Sequence, residues 1–193
     1  MTEIFTVIDI ETTGLDHEND YITEIAAIRT DGIREYGRFH TFVRLPEGAE
    51  IPTEITELTG IKSEDLTGAP REWDALASLE AFAWDTTLVA HNAPFDLSFI
   101  SRVFEPEQFV CTRALSRLVE PNESAKLVDV CTRHGIELYG HHRAMNDVGA
   151  TVKVFVKLRE MAEVNGTSYR NVVIDSEERR DRFGGTSVKV YAA

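Results

Sequence analysis

Apolar residues run almost without a break from Ile4 to Ile10 (IFTVIDI) and stop at Thr12-Thr13-Gly14, a turn-forming set. That pattern predicts a largely buried first strand. Residues 21–29 and 33–43 read as two more strands, joined at Thr30-Asp31-Gly32, where Asp-Gly is a hairpin signal. Three adjacent antiparallel strands are expected. Beyond Pro46 and Pro52, residues 54–58 form a short helix stopped by Gly60, and Ser63-Glu64-Asp65 caps a further turn.

The next segment, 71–84, places Trp73, Leu76, Ala77, Leu79 and Phe82 near the helical period. Residues 87–91 then make a short strand, and Asn92 with Pro94 supplies an N-cap and a first-turn proline for a helix running to about residue 104. This is a β-to-α crossover. Residues 108–111 are one more strand, 112–119 and 124–134 are helices, and Val148, Val152, Phe155 and Ala162 line one face of a long last helix. The chain has no internal repeat and no low-complexity stretch.

With 193 residues, the chain suits one compact domain and a short appendage. Its 42% hydrophobic and 27% charged content excludes wholesale disorder, collagen-like repeats and a coiled coil. No apolar run approaches the roughly 18 residues of a membrane span. The start, MTEIFTVIDIE, lacks the basic region of a secretory signal. A cytoplasmic protein without membrane contact is expected. Cys111 and Cys131 are too far apart for a C-x-x-C pair and too few for a disulfide framework, so both are expected as free thiols.

Charge narrows the function. Lys plus Arg number 20 against 33 Asp plus Glu, a net of −13, the opposite of a basic nucleic-acid grip. An enzyme that meets phosphates through cations held by its own carboxylates is still allowed. From Asn165 onward the balance changes to net +1. We therefore divide the chain into a domain at 1–164 and an appendage at 165–193, in which 172–174 and 188–191 pair as strands across the 177–185 loop.

Asp9 and Glu11 are two residues apart, so a strand puts both carboxylates on one face at the end of a buried segment. Two unit charges about 7 Å apart repel by roughly 2 to 3 kcal/mol at an effective dielectric near 20. A wet strand end relieves that repulsion, and so does a cation between them. Asp96 falls in the first turn of the helix after 87–91, where the macrodipole alone favours an acid. It also lies where open α/β sheets place ligands, at the carboxyl end of a strand. His142 and Asp147 sit at the entry to the last helix, a position that suits a cap and a surface histidine as well as a site. Taken together, four carboxylates and one imidazole are the inventory for two oxygen-liganded divalent cations and a general base.

These segments, Asp9-Ile10-Glu11-Thr12-Thr13-Gly14-Leu15, His91-Asn92-Ala93-Pro94-Phe95-Asp96 and His142-x-Ala144-x-x-Asp147, resemble in order and spacing the three motifs of the DEDDh exonuclease family. Within that family they are most similar to the proofreading epsilon subunits of bacterial DNA polymerase III. Ile51-Pro52 and Leu58-Thr59-Gly60-Ile61 are similar to the family's segment between motifs one and two. The resemblance spans residues 4–162. It implies an α/β, RNase H-like fold, a mixed five-stranded sheet with helices on both faces.

The resemblance also implies 3′-to-5′ removal of nucleoside 5′-monophosphates. Asp9, Glu11 and Asp147 would bind a first cation, Mg²⁺ or Mn²⁺, Asp9 would bridge to a second, and Asp96 would support the second through water. His142, five residues before Asp147 as in the family, would deprotonate the attacking water. His141 would be a hydrogen-bonding or solvent-facing neighbour. The tyrosine-base subfamily is excluded, because Arg143 holds its position. Leu15 and Phe95 match positions that pack near the terminal nucleotide. Glu54 and Thr59 match positions near the 3′ end, Thr59 standing where epsilon carries a histidine. Thr12, Thr13, Gly14 and Asn92 complete the substrate-binding set.

The leading expectation is a DNA 3′-to-5′ exonuclease, proofreading-type or stand-alone, acting on a single-stranded or frayed 3′ end, with a DNA polymerase subunit as a partner. An RNA exonuclease like RNase T or oligoribonuclease is the alternative enzyme, although Thr12 departs from the Glu-Met-Thr-Gly pattern of the latter. A non-catalytic module of a replication complex is the alternative of another class; it predicts a lost carboxylate or histidine, and none is lost. The tail is expected to cover a sheet edge or to mediate a homodimer.

Overall fold

The computed structural model describes residues 2–175 and 189–192. Its main sheet contains β1 (Phe5–Thr12), β2 (Ile22–Thr30), β3 (Glu35–Phe42), β4 (Thr87–Ala90) and β5 (Phe109–Cys111), in the order β3-β2-β1-β4-β5. The first three strands are antiparallel, and β4 and β5 run parallel to β1. The helices are α1 (Thr53–Thr59), α2 (Glu72–Phe82), α3 (Ala93–Ile100), α4 (Thr112–Val119), α5 (Leu127–Arg133) and α6 (Ala144–Asn165). A 3-10 turn covers Ser63–Leu66. This is the mixed five-stranded α/β architecture expected.

The period of β1 sorts its side chains between two cores. Ile8 and Ile10 pack with Leu76 and Leu79 of α2 and with Leu97, Phe99 and Ile100 of α3. Phe5 and Val7 pack with Val148, Val154, Phe155 and Leu158 of α6, the rings of Phe5 and Phe155 meeting edge-on at 4.8 Å. Asp9 and Glu11 continue the alternation of Phe5 and Val7. They therefore open toward the N-terminal end of α6.

Several boundaries differ from the sequence reading. β3 starts at Glu35 and not at Ile33, because Asp31 Oδ1 accepts the N–H groups of both Ile33 and Arg34 at 2.7 Å and holds them in the turn. α3 ends at Ile100, short of residue 104: Ser98 and Ser101 hydroxyls donate to the carbonyls of Phe95 and Ser98, and the backbone tightens into i+3 bonds at Arg102 and Val103. α5 starts at Leu127, since the Ser124 hydroxyl turns to Asp129 and accepts the Lys126 N–H. On α6, Val152 is only half-buried, and Val148, Thr151, Phe155, Leu158 and Ala162 form the inward face.

After α6, Gly166 adopts a left-handed conformation (φ 66°) and the chain returns to the β5 edge. There Asn171 N–H donates to the Phe109 carbonyl at 2.9 Å, and Phe109 N–H donates to Asn171 Oδ1 at 2.8 Å. Val172 and Val173 are buried in the α2/α3 core. β6 (Val172–Asp175) pairs with β7 (Lys189–Ala192) in parallel, so the two are not a hairpin. The connection, including Val188 and the 177–185 loop, lies outside the described residues. Among the described residues no helix is long and apolar enough to cross a membrane, and Cys111 and Cys131 are free and buried.

Candidate active site

The carboxyl end of β1 carries Asp9 and Glu11 on the face opposite Ile8 and Ile10, by the two-residue alternation of the strand. Parallel β4 ends beside it, and Asn92 leads into α3 with Pro94 in the first turn. Asp96 follows in that turn and is 3% exposed. Asp147 lies in the first turn of α6 and is 4% exposed. One ligand oxygen from each of Asp9, Glu11 and Asp147 falls within 4.8 Å of the others. His141, His142 and Asp147 form a second such group, so Asp147 belongs to both.

The carboxylates strain one another electrostatically. Burial, followed by the charges of Asp96, Glu11, Asp147 and Glu24, pushes Asp9 well above the ordinary carboxylate range. Burial and the charges of Asp147, Glu24 and Asp96 raise Glu11 to about 8, with Arg143 opposing. Burial raises Asp96 to about 8 against backbone hydrogen bonds at Asp96 and Ile10. A set of hard oxygen donors, Asp9 and Glu11 half-buried and Asp96 and Asp147 buried, that resists ionising by itself suits a divalent cation, which compensates the shared negative charge.

The two histidines differ. His141 Nδ1 lies 2.8 Å from both oxygens of Asp147. His142 touches Asp147 through its backbone, N–H to Oδ2 at 3.1 Å, and has a left-handed backbone (φ 68°) that is costly for a residue with a Cβ. Its ring stacks on that of His141 with centroids 3.8 Å apart. Burial and the neighbouring His141 lower its pKa, which keeps the ring unprotonated and able to accept a proton at neutral pH. His91, by contrast, is a tether: its ring bonds Thr112 and the Ala125 carbonyl, and burial drops its pKa to about 4.

The remaining sequence-selected residues divide into those facing solvent and those occupied locally. Leu15 is 81% exposed on the loop after β1. That loop is built by Asp20, whose carboxylate accepts Thr13 Oγ1 and Asp16 N–H, while Thr12 Oγ1 donates to the Gly14 carbonyl. Arg102 clamps the loop from α3's end, donating to the His17 and Asp20 carbonyls and pairing with Glu72 at 2.8 Å. Phe95 is half-buried against Phe99 at 5.2 Å. Asn92 Oδ1 accepts from Arg113 at 3.3 Å. Thr59 is buried, its hydroxyl donating to the Ile55 carbonyl and accepting from Ile61 N–H, which occupies it in closing α1. Glu54 is exposed in the first turn of α1, with no hydrogen bond to the carboxylates among the described residues.

Sequence reasoning missed Glu24, Arg143 and Arg102. The signal for Glu24 was available: one acid inside the apolar strand ITEIAAI, in phase with the inward Ala26 and Ile28. A lone buried charge in such a strand requires a partner.

A profile described as "Exonuclease" (RNase_T) matches residues 6–155. DNA polymerase III PolC-type from Bacillus cereus is 33% identical over 189 residues, which cover 94% of this chain and 13% of that protein. The chain thus spans about an eighth of the length of the curated relatives it matches. Among solved structures, E. coli exonuclease I in complex with an oligonucleotide superposes with a TM-score of 0.75 at 19% identity, over 85% of this chain and 42% of that one. Exonuclease X in complex with 5′ overhanging duplex DNA gives 0.67 at 22%, over 86% and 95%. These likenesses share the fold, and the three acidic segments lie within residues 6–155. The chain belongs to the RNase_T exonuclease family.

Proposed function

We propose that the chain is a metal-dependent 3′-to-5′ exonuclease that releases nucleoside 5′-monophosphates from a single-stranded or frayed DNA end. The observation that carries this reading is the convergence of Asp9, Glu11 and Asp147 within 4.8 Å, with Asp96 near enough to be the largest neighbouring charge on Asp9. Asp9, Glu11 and Asp147 would hold one Mg²⁺ or Mn²⁺, and Asp9 with Asp96 a second. When bound, such ions supply Lewis acidity toward water and phosphate oxygens. His142 accepts the proton of the attacking water as the phosphorus–O3′ bond breaks, and the departing 3′ oxygen takes a proton from solvent. Leu15 and Phe95 press on the terminal base, with Thr12, Thr13, Gly14 and Asn92 shaping the loops around it.

The DNA polymerase III PolC-type relatives support DNA as substrate and a polymerase as partner, and a cytoplasmic location belongs to the same reading. Residues 1–164 would be the exonuclease domain and 165–193 an appendage whose first part covers the β5 edge and whose distal part mediates self-association. The test is digestion of matched 5′-labelled DNA and RNA oligonucleotides with Mg²⁺ or Mn²⁺. A ladder shortening from the 3′ end of DNA is expected; preferential loss of RNA, or cleavage that persists in EDTA, overturns the reading.

A further inference from the structure

α6 carries Asp147 and is entered through His142, yet its own N-cap residue, Arg143, makes no side-chain cap. Helix N-termini leave N–H groups that must find partners. Here the partner comes from the sheet face on which the helix packs. Glu24 of β2, 1% exposed, accepts the Ala144 N–H at Oε2 (3.2 Å), the first residue of the helix. The same carboxylate takes Arg143 Nη2 at Oε1 (3.1 Å) and Arg143 Nε at Oε2 (3.3 Å). From β3, His40 Nε2 lies 2.7 Å from Oε1. Both oxygens are thus used, and a carboxylate at this end of the helix also suits its dipole.

Glu24 is also the cross-strand partner of Glu11, so the anchor of α6 stands beside one of the proposed ligands. Between Glu24's contact at Ala144 and the Asp147 carboxylate there is less than one helical turn. His142, on the other side of the anchor, has a left-handed backbone, with its N–H bonded to Asp147 and its ring stacked on His141. Arg143 is fixed twice, by Glu24 and by the face of Phe42, 5.8 Å from its guanidinium carbon.

We propose that Glu24, through Arg143 and the Ala144 N–H, is a positioning residue that sets the places of His142 and Asp147 in the site. The proposal rests on the exonuclease reading for its consequence in turnover, but not for its structural content. Removing the anchor frees the first turn of α6, which relaxes the strained His142 backbone and moves Asp147 away from Asp9 and Glu11. Substrate contacts on the Leu15 loop and on α3 are untouched, so the loss falls on kcat and not on KM.

The experiment compares Glu24→Ala and Glu24→Gln with the native full-length chain. Far-ultraviolet circular dichroism establishes folding first. In the metal-free proteins, the amide resonances of His142 and Asp147 are expected to move in both variants, and Mn²⁺ affinity by paramagnetic titration to weaken about tenfold in Glu24→Ala. On a labelled DNA oligonucleotide, kcat should drop at least tenfold in Glu24→Ala with KM within twofold. Glu24→Gln keeps an oxygen for the Ala144 N–H and loses the ion pair, so it should recover part of that loss. A folded Glu24→Gln with native His142 and Asp147 resonances, Mn²⁺ affinity and kcat overturns the proposal whether or not Glu24→Ala folds. If the native chain does not cut DNA, the resonances and Mn²⁺ titration still decide the role of Glu24.

Discussion

His141 places its ring nitrogen on Asp147, 2.8 Å from each carboxylate oxygen, whereas His142 reaches the same carboxylate only through its main-chain N–H. The adjacent imidazoles therefore have different duties. Among the described residues, the ring of His142 is the one left without a carboxylate bond, and it is the one our mechanism uses. His142→Ala should lower turnover by about 100-fold or more, the usual scale of a lost general base. His141→Ala should cost much less turnover and weaken Mn²⁺ binding, since it supports a proposed ligand. Steady-state rates and Mn²⁺ titrations of the two variants check this, and a reversed order of turnover losses would exchange the assignments.

Asp9→Ala, Glu11→Ala, Asp96→Ala and Asp147→Ala should each abolish cleavage and leave the fold intact. The first three remove like charge from a set that repels itself. Their metal-free melting temperatures at neutral pH should equal or exceed that of the native chain. Near-native turnover in any one variant removes that carboxylate from the site.

The raised carboxylates also fix the sign of a pH effect. Glu11 stands at about 8 in the fold against an ordinary 4.5, so between those values the native state binds more protons than the unfolded chain. This contribution is fully present below the unfolded pKa and is lost as pH rises through the folded one. In EDTA, melting temperature should therefore fall from about pH 5 to pH 8, and Glu11→Gln should flatten the slope. A slope of the opposite sign in the native chain, with no change in Glu11→Gln, contradicts the electrostatic account.

Divalent cations should reverse that penalty. A ligand present at 100 times its Kd stabilises the native state by about 2.7 kcal/mol, which for a chain of this size raises Tm by roughly 5 to 10 °C. Melting curves with Mg²⁺ or Mn²⁺ at pH 8 should show the rise, and Asp9→Asn should lose it. Equal shifts in both proteins would place the cation elsewhere.

Truncation separates the parts of the tail. Ending the chain at residue 164 takes Val172 and Val173 from the core and removes Arg170, whose guanidinium pairs with Glu3. Each valine is worth about 1.5 to 3 kcal/mol of burial. The 1–164 fragment should melt well below a 1–175 fragment, with both keeping the metal ligands. Sedimentation of full-length chain and the 1–175 fragment tests self-association through the distal residues, and equal protomer mass in both would refute a dimer built there.

The local pattern of the sequence was enough to find the three antiparallel strands, the β4-to-α3 crossover and the end of α1 at Gly60, whose left-handed φ of 72° meets no side-chain penalty. Strand alternation and helix entry, set by residues a few positions apart, also brought out Asp9, Glu11, Asp96, His142 and Asp147 as candidates, while the choice of His142 over His141 came from the family resemblance. Hydroxyls made the ends harder to read: Ser98, Ser101 and Ser124 redirect backbone bonds by choices that periodicity does not encode. Only the tertiary structure decided which groups share the site's charge, since Glu24 and Ala144 are 120 residues apart and meet through strand register. It likewise decided that the ring of His141, and not that of His142, bonds Asp147, that Thr59 closes its own helix, and that Asn171 returns to the β5 edge. Each of these depends on the partner that a buried polar group finds once the sheet and its helices have assembled, and hydrogen-bond satisfaction in a core is a property of the whole fold.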